Sequence, residues 1–184
     1  MRGLLLLADG FEDTEALTTR DVLTRAGIEI TTASITDRLE VESSFGVHVL
    51  ADALLKLIFD TTPYDFIVLP GGGRGTRNLA QSQLVPMYIQ KFVEAKKLVC
   101  AICAAPSILG KLGYLKNGKY TCFAGCNEGV EGNFTGNEVE VSGQFITARS
   151  MRYSIDFALA IIERLLGKEA RARVEIGLNG QTAK

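Results

Sequence analysis

The sequence predicts an α/β fold in three layers, a mostly parallel sheet sandwiched between helices. Three observations carry that prediction. Continuous apolar runs of strand length recur at residues 4–7, 66–69 and 98–102, the pattern of strands buried on both faces. Segments with helical spacing alternate with them. Each run ends in a loop of glycine or small residues, at Gly10, at Gly71-Gly72-Gly73 and at Cys103-Ala104-Ala105. In sheets of this kind the site lies beyond the carboxyl ends of the strands.

Taken in order, the run at 4–7 leads through Asp9-Gly10 into a helix with Ala16, Thr19, Leu23 and Ala26 on one face, and Gly27 ends it. Residues 28–33 are β-rich, so strand, helix and strand form a unit whose two strands are parallel. From 37 to 50, Val41, Ser43-Ser44, Gly46 and Val47-His48-Val49-Leu50 predict a small hairpin. The run at 66–69 passes into a glycine loop over 70–75. A helix then carries Val85, Tyr88, Ile89 and Phe92, with Pro86 in its first turn, before the strand at 98–102. Short strands are expected at 120–122, 139–141 and 145–147, separated by glycine and asparagine turns. A last strong helix places Ile155, Ala158, Leu159, Ile162, Leu165 and Leu166 on one stripe and stops at Gly167. A short basic helix follows from Lys168, and the polar tail from Asn179 is expected to fray. With no repeat or linker, residues 1–184 read as a single domain.

Composition narrows the function. A chain of 184 residues with 47% hydrophobic residues can bury one sizeable core. A net charge of -1 gives no electrostatic case for nucleic acid or an anionic membrane surface. The apolar run behind Arg2 stops at Asp9, too short for a secretion signal, and nothing approaches a membrane span. The expected location is cytoplasmic. There, four cysteines read as free thiols, metal ligands or redox groups and not as a disulfide frame.

The chemistry centres on 98–110. Cys103 stands between a buried strand and a helix whose first turn accommodates Pro106. A side chain there projects past the sheet, and free N–H groups at the helix start favour a negative sulfur. On this turn alone a nucleophile and a buried structural cysteine are equally good readings. Gly71, Gly72 and Gly73 offer unshielded backbone N–H groups for an oxyanion or an oxidised sulfur. Glu12, Asp13 and Glu15 offer a carboxyl group.

Several motifs, in order, cover nearly the whole chain: Leu-Ala-Asp-Gly-Phe-Glu-Asp-Thr-Glu (7–15), Arg-Ala-Gly-Ile (25–28), Tyr-Asp-Phe-Ile-Val-Leu-Pro-Gly-Gly (64–72), Asn78-Leu79, Ala-Ile-Cys-Ala-Ala-Pro (101–106) and Phe-Ala-Leu-Ala-Ile (157–161). With these the chain resembles the ThiJ/PfpI superfamily, specifically its small deglycase-like branch. The resemblance implies a flavodoxin-like fold, a homodimer and a reactive Cys103. It implies that Glu15 is a protonated carboxyl hydrogen-bonded to the sulfur, and that Gly72, with Ala104, supplies backbone donors beside Gly71. The implied activity needs no cofactor: a glyoxalase III-type or deglycase reaction on small reactive carbonyls such as methylglyoxal. The alternative is a redox sensor of oxidative stress, chaperone-like in its output, in which Cys103 is oxidised to sulfenate or sulfinate.

The chain departs from the family at several positions. Ala104 follows the cysteine where hydrolytic members carry histidine. Phe123 stands where some relatives have a second histidine, and Phe45 where some have a pocket arginine. His48 is the only histidine and falls in the hairpin, so a Cys-His dyad is unsupported. Arg25 has two readings, a group reaching the site of a dimer partner or ordinary helix surface. Glu12 and Asp13 are expected to face solvent. Cys100, Cys103, Cys122 and Cys126 come near a four-thiolate zinc spacing, but Cys100 and Cys103 are expected to face opposite sides of a strand, so no metal is expected. Cys122 is either a resolving thiol for Cys103 or a half-buried strand residue.

Overall fold

The computed structural model describes residues 1–182. Its strands are β1 (Arg2–Leu7), β2 (Glu29–Ser34), β3 (Glu40–Glu42), β4 (His48–Leu50), β5 (Ala53–Leu54), β6 (Phe66–Leu69), β7 (Leu98–Ile102), β8 (Lys119–Tyr120), β9 (Asn133–Phe134), β10 (Val139–Ser142) and β11 (Phe145–Ala148). Its helices are α1 (Asp13–Arg25), α2 (Gly73–Gln81), α3 (Leu84–Glu94), α4 (Pro106–Lys111), α5 (Ser154–Leu166) and α6 (Lys168–Leu178). Seven strands form one sheet in the order β10-β11-β7-β6-β1-β2-β5. Every pairing in it is parallel except that of β10 with β11.

The continuous apolar runs are explained by two cores, one on each face. Along β1, Leu5 and Leu7 enter the cluster formed with Ala16, Val22 and Leu23 of α1 and Phe157, Ile161 and Ile162 of α5. Leu4 and Leu6 enter the other, with Val85, Ile89 and Phe92 of α3 and Ile108 and Leu109 of α4. Alternation along the strand persists, but both sides are apolar. Each such leucine contributes about 1.5–3 kcal/mol by burial.

The chain leaves β1 toward β2 on one side, whereas β6 and β7 extend the sheet on the other. The reversal between β1 and β6 opens a crevice at their carboxyl ends. Gly10 and the start of α1 meet the Gly71 loop there, with the β7 elbow one strand away.

The structure departs from the sequence expectations in four places. The glycine stretch becomes helix from Gly73, because Thr76 donates its N–H to Gly72 O at 2.8 Å and Leu79 is buried. Low intrinsic propensity is overridden by tertiary anchoring. The strand expected at 120–122 stops at Tyr120, since Thr121 gives its N–H to Thr147 Oγ1 instead of a ladder. The buried face of α5 keeps Ala158, Leu159 and Ile162 of the expected stripe and adds Phe157 and Ile161, while Ile155 and Leu166 are exposed. The tail begins by closing α6, with N–H groups of Asn179, Gly180 and Gln181 bonded to carbonyls of Glu175, Gly177 and Ile176. The remainder of the fraying expectation falls on residues 183 and 184, outside the described residues. The hairpin of β3 and β4 forms as expected, apart from the main sheet.

Candidate active site

Cys103 follows β7 directly and has φ of 64°, a left-handed conformation that costs a non-glycine residue of order 1–3 kcal/mol. Both of its backbone polar groups are held. Its N–H donates to Ala148 O at 2.8 Å, and its carbonyl accepts from Phe123 N–H at 2.7 Å. The positive φ breaks strand alternation, which is why Cys103 packs against the same apolar cluster as Cys100 and not against the opposite one.

Glu15 reaches the crevice from the first turn of α1 and is fully buried. Gly71 N–H donates to its Oε2 at 2.7 Å. Its Oε1 is sealed from solvent with no close oxygen or nitrogen partner, and the carboxyl interacts with the Cys103 thiol. Burial is the main reason that this carboxyl is pushed up to about 7; the thiol and Gly71 N–H oppose the rise, and nearby Glu12 adds to it. The Cys103 thiol is also pushed upward, first by burial and then by Glu15, against the pull of the Ala104 and Gly72 N–H groups. Ionised Glu15 resists ionisation of the thiol, while the thiol hydrogen-bonds the carboxylate, so the pair holds one proton and one negative charge above the first titration.

Glycine is needed at both loop positions. A Cβ on Gly71 would lie 2.6 Å from Glu15 Oε2 and 2.8 Å from Cys103 Cβ. Gly72 has φ of 90°, and a Cβ there would lie 2.3 Å from Gly10 O. The close approach packs thiol, carboxyl and backbone donors into one water-poor space, where charge interactions are strong.

Glu15, Gly71, Gly72, Cys103 and Ala104 are therefore brought together. Arg25 is not part of this group within the chain: it ends α1, ten residues after Glu15 or about 15 Å along the axis, and pairs with Asp21 at 2.8 Å. Phe123 adjoins the elbow through its N–H, and its ring is 50% exposed. The Cys122 side chain instead packs into the cluster on the other sheet face. Glu12 and Asp13 are half-buried, contrary to the expectation of solvent-facing acids, and Asp13 Oδ1 accepts from Ser43 Oγ at 2.6 Å. His48 bonds Glu40 at 2.9 Å on the exposed hairpin.

Sequence reading missed the hairpin tip as a clamp on the site loop. Ser44 donates from its N–H to Phe11 O and from its Oγ to Gly10 O, both at 2.8 Å. The Ser-Ser-Phe-Gly turn was visible, but its partner more than 30 residues away was not. Asn78 likewise anchors the loop through Nδ2 to Asp9 O at 2.7 Å. Among the described residues, no three His, Cys, Asp or Glu side chains gather as metal ligands, and no helix is long and apolar enough to cross a membrane.

Comparison with known proteins matches this arrangement to one family. The DJ-1/PfpI family model matches residues 1–164. The chain belongs to the DJ-1/PfpI family. It is 34% identical over 181 residues to the Parkinson disease protein 7 homolog of Danio rerio, covering 96% of each chain. It is 30% identical to the glutathione-independent glyoxalase DJR-1.2 of Caenorhabditis elegans, over 90% of this chain and 89% of that one. Among solved structures, a DJ-1 superfamily protein of Salmonella typhimurium, solved as a C103A mutant, superposes with a TM-score of 0.92 at 32% identity, covering 99% of both chains. Oxidized DJ-1 of Toxoplasma gondii superposes at 0.89 with 31% identity, over 100% of this chain and 99% of that one. The DJ-1/PfpI fold is thus present in full.

Proposed function

We propose that this protein is a cofactor-independent glyoxalase or deglycase-type enzyme acting on small reactive carbonyls through Cys103 and Glu15, with the whole chain as one catalytic domain. The supporting observation is the buried Glu15 carboxyl, pushed up to about 7, beside the thiol of a fixed elbow. Such a group can both give and take a proton near neutral pH.

For methylglyoxal the sulfur attacks the aldehyde carbon as its proton passes to Glu15, which gives it to the resulting oxygen to form a hemithioacetal. Glu15, again ionised, removes the hydrogen from that carbon and delivers it to the neighbouring one while the hydroxyl proton moves to the ketone oxygen, leaving a thioester of lactate. Water cleaves the thioester, releasing lactate and restoring the thiol. The N–H groups of Gly72 and Ala104 are suited to hold negative charge at sulfur or oxygen during these steps.

The DJR-1.2 relative, named as a glutathione-independent glyoxalase, supports this class of reaction. The decisive experiment follows methylglyoxal consumption with lactate detection, comparing wild type with Cys103→Ser after mass spectrometry verifies a reduced thiol. Lactate from wild type alone supports the enzyme. No lactate from fully reduced protein overturns it.

A second reading is a redox sensor, in which peroxide oxidises Cys103 to sulfenate or sulfinate held by protonated Glu15 and Gly72 N–H. The observation favouring it is that the single histidine, His48, bonds Glu40 on the exposed hairpin, so no imidazole stands beside Cys103 to transfer a proton. We also place the protein in the cytoplasm as a homodimer. Exposed Leu17 and Leu50 and half-buried Val49 line one depression with Arg20 and Asp52, a surface suited to a second copy.

A further inference from the structure

We propose that Cys122 and Cys126 form a reversible disulfide, a second thiol centre that works independently of Cys103. Both are free thiols. Cys122 is buried and Cys126 half-buried, and both pack into the cluster that contains Ile108, Leu109, Leu115 and Tyr120. Between them the chain folds back in a turn closed by Cys126 N–H to Phe123 O at 2.9 Å, with Gly125 at φ of 83°. The turn runs from Phe123 to Cys126 with Cys122 directly before it, so the chain reverses between the two cysteines, and the Cys122 thiol feels that of Cys126. The segment before the turn is anchored by Thr121, whose N–H binds Thr147 Oγ1 and whose Oγ1 binds Asn137 O. Cys122 therefore presents a fixed target.

Exposure divides the labour between the pair. Cys122 is pushed up to about 12 by burial and then by Cys126, and Cys126 is also pushed up by burial, with Lys111 opposing the rise and Glu128 adding to it. Cys126 is the more accessible thiol and is the one attacked first by a hydroperoxide. Its thiolate takes the distal oxygen, the O–O bond breaks, and an alcohol or water leaves, giving a sulfenic acid at Cys126. The Cys122 sulfur then attacks that sulfur and expels water. Two thiols and one hydroperoxide become one disulfide, one alcohol (or water) and one water. Because the Phe123 N–H within the bridged loop binds the Cys103 carbonyl, the new bond closes beside the elbow.

Trypsin separates the two centres cleanly. Cys122 and Cys126 share the peptide 120–149, while Cys100 and Cys103 share 98–111. The Cys103→Ser protein is treated with mild hydrogen peroxide, alkylated, digested without reductant and weighed. The expected result is peptide 120–149 lighter by two hydrogens and unalkylated, restored by dithiothreitol, and absent in Cys126→Ser. Peptide 120–149 carrying two alkyl groups or added oxygens overturns the proposal. So does a cross-link from 120–149 to 98–111 in the wild type that replaces the internal bridge. Neither readout depends on carbonyl turnover, so the proposal stands or falls separately from the proposed enzyme.

Discussion

Gly71 donates its backbone N–H to Glu15 Oε2 at 2.7 Å, joining the end of β6 to the first turn of α1. This bond occupies one carboxyl oxygen as an acceptor and leaves the buried Oε1 as the place for a proton. The consequences for catalysis, pH and packing follow from that division.

Glu15→Gln keeps a donor at the sulfur but cannot shuttle a proton. Carbonyl turnover is expected to fall by about 10²–10⁴-fold. Oxidation of Cys103 by peroxide should persist, because the amide still bonds an oxidised sulfur. Lactate assays beside mass spectrometry of peptide 98–111 check both. Undiminished turnover would remove Glu15 from the acid–base role.

Stability should depend on pH through the same carboxyl. Folding raises Glu15 from its ordinary 4.5 to about 7, so the folded state binds the proton more tightly than the unfolded chain. The associated stability is complete below about 4.5 and lost as pH rises through about 7, levelling off above. At about 1.4 kcal/mol for each unit of pKa, the loss is about 3 kcal/mol at most. Urea unfolding across this window should show the decline in wild type and a flatter profile in Glu15→Gln.

Gly71→Ala places a methyl group against both reacting side chains, 2.6 Å from Glu15 Oε2 and 2.8 Å from Cys103 Cβ. Overpacking of this kind costs about 1–3 kcal/mol. The midpoint of urea unfolding should fall accordingly, and alkylation of Cys103 by iodoacetamide should change in rate. An unchanged midpoint would show that the crevice is looser than its contacts imply.

The proposed dimer is testable at Leu50, 72% exposed on β4. Leu50→Glu puts a charge on the apolar surface, and sedimentation should shift from dimer toward monomer with the fold intact by circular dichroism. A monomeric wild type at the same concentration would overturn the dimer.

Much of the framework was legible because buried parallel strands leave an unmistakable trace. The runs that became β1, β6 and β7, the elbow at Cys103 and the helix stripes of α1 and α3 depend on local apolar pattern and on turn chemistry. The two-sided burial of β1 needs Leu4 and Leu6 as much as Leu5 and Leu7, and four consecutive leucines state that directly. Family motifs then named Glu15 and Gly72 as the companions of Cys103.

Other features were decided only in three dimensions. Helix α2 begins in glycines whose weak propensity is outweighed by Gly75 N–H bonded to Gly10 O at 2.9 Å. Ile155 and Leu166 fit the helical period of α5, yet packing against α1 kept only the middle of that stripe and added Phe157 and Ile161. Asp13 was drawn inward by Ser43, thirty residues distant. The packing of Cys122 and Cys126 into one apolar cluster is likewise a product of the fold. Apolar periodicity, turn residues and motifs are local and survive in one dimension. The raised proton affinity of Glu15 and the grouping of the thiols arise from burial and through-space neighbours, which exist only after the chain has closed on itself.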